Sequence, residues 1–130
     1  GCDGLDGLLG VENFDAGLAE GAKFLAPITP DAADDKTVKF VTDFKEKFGE
    51  TPNQFAADAY DCVYVVKAAA EKAGLTPDMS VSDMCDAMKA AIQEISFDGL
   101  TGTGISWTAD GEPSKAPIVI QIENGAYKII

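Results

Sequence analysis

The sequence predicts a mixed α/β or α+β fold, and three observations carry the prediction. Segments of helical periodicity fill the middle of the chain, between a short strand pattern and a strand-rich tail. That tail contains PIVIQIENGAYKII, two apolar runs around Asn124-Gly125, the strongest short hairpin signal present. The 130 residues are 46% hydrophobic, enough to build the core of one ordinary domain.

Each element follows from local chemistry. GAKFLAPI (21–28) reads as a strand closed by Pro27 and Pro30. The polar run from Asp31 to Asp35 caps a helix over 36–48, where Val38, Val41, Phe44 and Phe48 recur at helical spacing beside Phe40. Gly49 stops it. Thr51-Pro52-Asn53 restarts the chain into a longer helix over 54–73. Its predicted buried face holds Phe55, Ala59, Cys62, Val63, Val66 and Ala70, and Gly74 ends it. Ser80 and Asp83 form a capping pattern for a third helix, with Met84, Met88, Ile92 and Ile95 as core filling. GISWTADGEP then alternates like a strand and turns at Asp110-Gly111.

Composition removes several function classes. Twenty-two acidic against ten basic side chains leave a net charge of −12, which repels phosphate backbones and anionic membrane surfaces. Nucleic acid is therefore not an expected partner, and the acidity itself reads as solubility. The sequence has no histidine, so Ser/His and Cys/His nucleophile pairs and imidazole metal sites are absent. Cys2, Cys62 and Cys85 show no CxxC spacing, and Cys62 and Cys85 are expected to be small buried hydrophobes.

Candidate sites compete with simpler readings. GLTGTG (99–104) lacks the Lys-Ser/Thr of a phosphate loop and is read as a turn feeding a strand. Asp3, Asp6, Glu12 and Asp15 miss the EF-hand pattern at its third ligand position, so no metal site is expected. No spacing specifies a general acid/base pair, and no catalytic residue or cofactor is assigned. Gly1-Cys2 is all that is visible of a lipid-attachment pattern, a weak signal. Asp3, between Cys2 and Gly4 in GCDGLDG, suits recognition of an ammonium group by a charge-assisted contact. On spacing alone, a solvated turn aspartate is the better reading.

Five segments taken in order carry a resemblance. DGLDGLL, AEGAKFLAPI, a helix ending KFG, PNQFAADAYDCVYVVKAAAEKAG and FDGLTGTGISWTADGEP resemble type I periplasmic binding proteins of the branched-chain amino acid class. The likeness runs over nearly the whole chain, as the C-terminal portion of a longer protein, with Gly1 in mid-protein. It implies an α/β fold of two Rossmann-like lobes: 1–28 in lobe II, 29–117 in lobe I, and 118–130 back in lobe II. It implies an extracytoplasmic binding subunit of an ABC importer, periplasmic or lipoprotein-anchored, with no catalysis, holding an amino acid between the lobes and docking on permease subunits. A sensory domain of the same fold is the alternative.

Two ligand contacts carry over by the resemblance. Asp3 matches the acidic residue that receives the ligand's α-ammonium, and Phe55 matches the aromatic or apolar residue at the head of the Tyr-Asp helix. A common variant has Trp where this chain has Leu5, which bears on specificity. Tyr60 and Asp61 match the helix signature and are expected to be structural. Dimerisation or strand exchange is the expectation for this chain in isolation, because a severed lobe leaves sheet edges unpaired.

Overall fold

A computed structural model describes residue 1 and residues 3–130, apart from the side chain of Asp3. In chain order the elements are 3-10 turns at Asp3–Leu5, Leu8–Gly10 and Ala16–Ala19, strand β1 (Lys23–Ala26), helices α1 (Asp35–Phe48), α2 (Gln54–Ala73) and α3 (Val81–Glu94), and strands β2 (Ile118–Glu123) and β3 (Ala126–Ile129). The chain divides into two compact units, one of residues 1–57 with 116–130, the other of residues 58–115.

The first unit is built on an antiparallel sheet of order β1-β2-β3. Asn124 and Gly125 adopt φ of 53° and 70°, the left-handed pair that a two-residue hairpin turn requires. Alternation then sorts the side chains. Phe24 and Ala26 of β1 and Ile120 and Ile122 of β2 are buried, with Phe24 paired to Ile120 in register. Ala19 joins this core, and Leu5, Leu8, Leu9 and Phe14 from the opening turns pack against it. Tyr127 meets Phe24 edge to face at 5.7 Å and accepts from the Leu9 N–H through its hydroxyl at 3.2 Å. Gly1 is held beside β1, its carbonyl accepting from the Leu25 N–H at 3.2 Å.

Helix α1 forms where expected, with its inward face shifted toward Phe40. Asp34 caps it by accepting from the Thr37 N–H at 2.9 Å, and Gly49 closes it at φ 78°. Thr37 and Phe40 are buried and Val41 and Phe44 of the predicted stripe half-buried, whereas its Val38 and Phe48 are exposed. Phe40, Phe44 and Phe48 stack along the helix at 5.8 and 4.6 Å, with Phe40 at the buried end of the row and Phe48 at the exposed end.

The second unit contains most of α2, α3 and the segment that follows. Here too the extent of α2 matches the prediction, but its buried face does not. Gln54, Ala57, Asp61 and Ala69 are buried, and Phe55, Cys62, Val63 and Val66 are exposed. Two members of the true stripe are polar, so hydropathy periodicity pointed to its neighbour.

Cys62 and Cys85 are both exposed, against the expectation that they are buried. Cys62 is one step round from Asp61, and Cys85 one step round from Met84. Met84, Met88 and Ile92 are half-buried and, with Trp107, line a concavity of 730 Å³. The predicted strand after Gly104 reduces to isolated bridges, Phe97 with Ile105 and Trp107 with Pro113. Asp58 and Lys115, the first and last residues of this unit, pair at 2.7 Å.

Candidate functional site

The two expected ligand contacts lie on two segments of the first unit that a hydrogen bond ties together. The Asp6 carboxylate accepts from the Gln54 N–H at 2.6 Å through Oδ2, and from the Gly7 N–H at 3.0 Å through Oδ1. Asp6 stands three residues after Asp3, and Gln54 immediately precedes Phe55. Gly7 holds φ 79°, a turn that an L side chain resists. This turn aims the carboxylate at the start of α2.

The start of α2 needs such partners, because the first N–H groups of a helix have no intrahelical acceptor. Asn53 supplies one locally, its Oδ1 accepting from the Ala56 N–H at 3.1 Å. Asp6 supplies another from 48 residues away. A carboxylate is favoured there by the partial positive charge of the helix N-terminus. Phe55, in the first turn, is 54% exposed, a large ring left in solvent where a ligand's apolar portion could cover it.

The backbone of Asp3 begins the first 3-10 turn, and its side chain lies outside the described residues. Cys2, and with it the lipid-attachment pattern, also lies outside them. Of the acids weighed for calcium, Asp6 and Asp15 accept from backbone N–H groups, Asp15 from Gly17 at 2.9 Å. Among the described residues no group of three or more acidic or cysteine side chains is placed to hold a metal ion. No helix in them is long and apolar enough to cross a membrane.

Asp61 acts as structural mortar in the second unit. Its carboxylate accepts from the Leu100 N–H at 2.9 Å, the Thr101 N–H at 2.8 Å and the Thr101 hydroxyl at 2.7 Å. This fixes GLTGTG as a turn, closed by the Gly99 N–H on the Gly102 carbonyl at 2.9 Å. A Cβ at Gly99 would overlap the Asp61 carboxylate and the Phe97 ring, so the close approach demands glycine. Gly104 holds φ 64° and donates to Asp98 at 2.7 Å. The loop is therefore bound from below by a side chain.

Sequence reasoning missed the role of Asp6, treating it only as one of four loop acids. The Asp-Gly dipeptide signalled the turn, but nothing local signalled a partner 48 residues on.

Comparison with known proteins places these features. Residues 9–126 match the family model described as periplasmic binding protein. No curated protein matches the chain. Among solved structures, the branched-chain amino acid transporter substrate-binding protein LivJ of Streptococcus pneumoniae, crystallised with isoleucine, superposes with a TM-score of 0.74 at 26% identity over 100% of this chain. The leucine-binding protein LivK of Thermotoga maritima gives 0.71 at 26% identity over 99%. A solute-binding protein of R. palustris in complex with benzoate gives 0.73 at 18% identity over 96%, a likeness of fold. The chain spans about a third of the length of these structures, 36%, 35% and 32% in turn. The helices and sheet are accordingly a segment of the two-lobed α/β fold, and the chain belongs to the periplasmic binding protein family.

Proposed function

We propose that this chain is the C-terminal portion of an extracytoplasmic substrate-binding subunit of an ABC importer, which closes two lobes around a branched-chain amino acid and presents it to permease subunits. The bond from Asp6 to the Gln54 N–H is the observation that carries the site, because it brings the loop of Asp3 to the turn of Phe55. On this reading residues 1–28 and 118–130 belong to one lobe and 29–117 to the other. The Asp3 carboxylate receives the α-ammonium, and Phe55 covers the aliphatic side chain. The protein performs no catalysis.

The similarity at 26% identity to a leucine-binding protein and to an isoleucine complex supports the ligand class. Leucine, isoleucine and valine share an ammonium for Asp3 and a branched apolar group for an exposed ring. Calorimetric titration of the complete protein with the three amino acids tests the proposal. Binding to at least one is expected, and Asp3→Ala should weaken it about tenfold to a hundredfold, the worth of one charge-assisted hydrogen bond. Unchanged affinity in Asp3→Ala would sink the assignment of the ammonium site.

A further inference from the structure

We propose that Met84, Cys85 and Met88 of α3 form a site for a soft monovalent metal ion, Cu(I), with Trp107 in the same concavity. The site is separate from the proposed amino acid site and does not depend on it.

Helix geometry brings the three sulfur-bearing residues together. Met84 and Met88 are four residues apart on α3, Cys85 and Met88 three apart, and Met84 and Cys85 adjacent. Positions three and four apart are neighbours on a helix surface, so the three residues make one compact triangle. All three line the 730 Å³ concavity, within a single compact unit. A methionine side chain has three rotatable bonds, which lets its thioether adapt to a shared ion.

Core filling is the simpler account of such residues, and it fits poorly here. Among the described residues the buried apolar side chains are alanine, phenylalanine and isoleucine. The sequence holds three methionines and three cysteines, and three of those six gather at this one wall, half-buried or exposed. The other wall is held in place. The turn after Trp107 is closed by the Gly111 N–H on the Thr108 carbonyl and the Thr108 N–H on the Glu112 carbonyl, each at 3.0 Å. The Gln93 side-chain amide donates to the Ala109 carbonyl at 3.4 Å and ties that turn to α3.

The donor set selects the ion. Thiolate and thioether sulfurs are soft ligands that suit Cu(I), whereas calcium and magnesium take oxygen. Zinc sites use thiolate, imidazole and carboxylate rather than thioether. On binding, the Cys85 thiol gives up its proton to solvent and the thiolate neutralises the single positive charge, while both thioethers stay neutral. The face of an indole ring such as Trp107 attracts a cation. Asp110 adds a negative charge to the rim and Lys89 a positive one.

Anaerobic titration of the complete protein with Cu(I), against a competing chelator and with Zn(II) in parallel, tests the site. Retention of Cu(I) but not Zn(II) is expected, with a fall in fluorescence that Trp107→Phe removes. Met84→Leu combined with Met88→Leu keeps the apolar volume and should weaken Cu(I) about a hundredfold, since losing even an outer partner of a metal site costs about tenfold to a hundredfold. Cys85→Ser should weaken it at least as much, and both variants should keep the wild-type melting temperature in the absence of metal. Wild-type Cu(I) affinity in both variants would put the ion elsewhere and overturn the proposal. Loss in Cys85→Ser alone, with the leucine variant unaffected, would mark a simple reactive thiol and overturn it too. Failure of the wild-type protein to hold Cu(I) overturns the metal site and leaves the amino acid reading standing.

Discussion

The antiparallel sheet and helix α2 sort their side chains by different rules. In the sheet, a strand's pleat sends alternate residues to one side, so Phe24, Ala26, Ile120 and Ile122 are buried where their spacing puts them. In α2, the most apolar stripe faces solvent and the buried stripe includes Gln54 and Asp61. A strand face is decided by a period of two that leaves no choice. A helix surface is continuous, and the partner decides which sector is covered. Asp61 and the loop it holds set that sector in α2.

The sharpest way to break this contrast is a pair of truncations. Ile122 is fully buried, and Ile122→Ala should destabilise the complete protein by about 4 kcal/mol through lost burial and a residual cavity. Val63 is 68% exposed in the described structure, and Val63→Ala should cost no more than about 0.5 kcal/mol. Urea unfolding midpoints compare the two directly. Equal losses would show that the outer face of α2 is covered in the complete protein.

A second test concerns the polar member of the buried stripe. Asp61→Ala leaves the N–H groups of Leu100 and Thr101 and the Thr101 hydroxyl without their acceptor, at a cost of about 3 kcal/mol. Thr101→Val removes only the hydroxyl's bond and should cost about 1 kcal/mol. Amide hydrogen exchange at residues 99–105 should rise in Asp61→Ala more than at α3. Uniform exchange across the unit would mean that the carboxylate does not act locally.

These contrasts explain what was legible in the sequence. Helix limits were readable because Asp34, Gly49, Gly74 and Ser80 act within three or four residues of the groups they serve. The hairpin was readable because Asn124-Gly125 fixes its own backbone. The strand expected after Gly104 was not realised, because alternation at Ile105 and Trp107 found only single bridging partners. The faces of α1 and α2, and the exposure of both described cysteines, depend on contacts that no local pattern encodes. At the candidate site the resemblance singled out Asp3 and Phe55, but not the bond at Asp6 that joins their segments, since its ends are 48 residues apart.

The smallest expected effect tests the local kind of contact on its own. Hydrogen bonds from the Thr37 hydroxyl and the Thr37 N–H hold the Asp34 carboxyl below its ordinary value of 3.8. Its charged form is thus favoured in the folded state, so its stabilisation is complete well above 3.8 and disappears as pH falls through the lowered folded value. Asp34→Ala should cost about 1 kcal/mol at neutral pH, as for other helix caps. The measurement is the difference in unfolding free energy between wild type and variant, which cancels the titration of the other acids. That difference should hold steady down to mildly acidic pH and shrink below it. Asp34→Asn, with a neutral acceptor, should lose only a few tenths at neutral pH. An unchanged wild-type-minus-Ala difference in acid would assign the cap's effect to the acceptor's position rather than its charge.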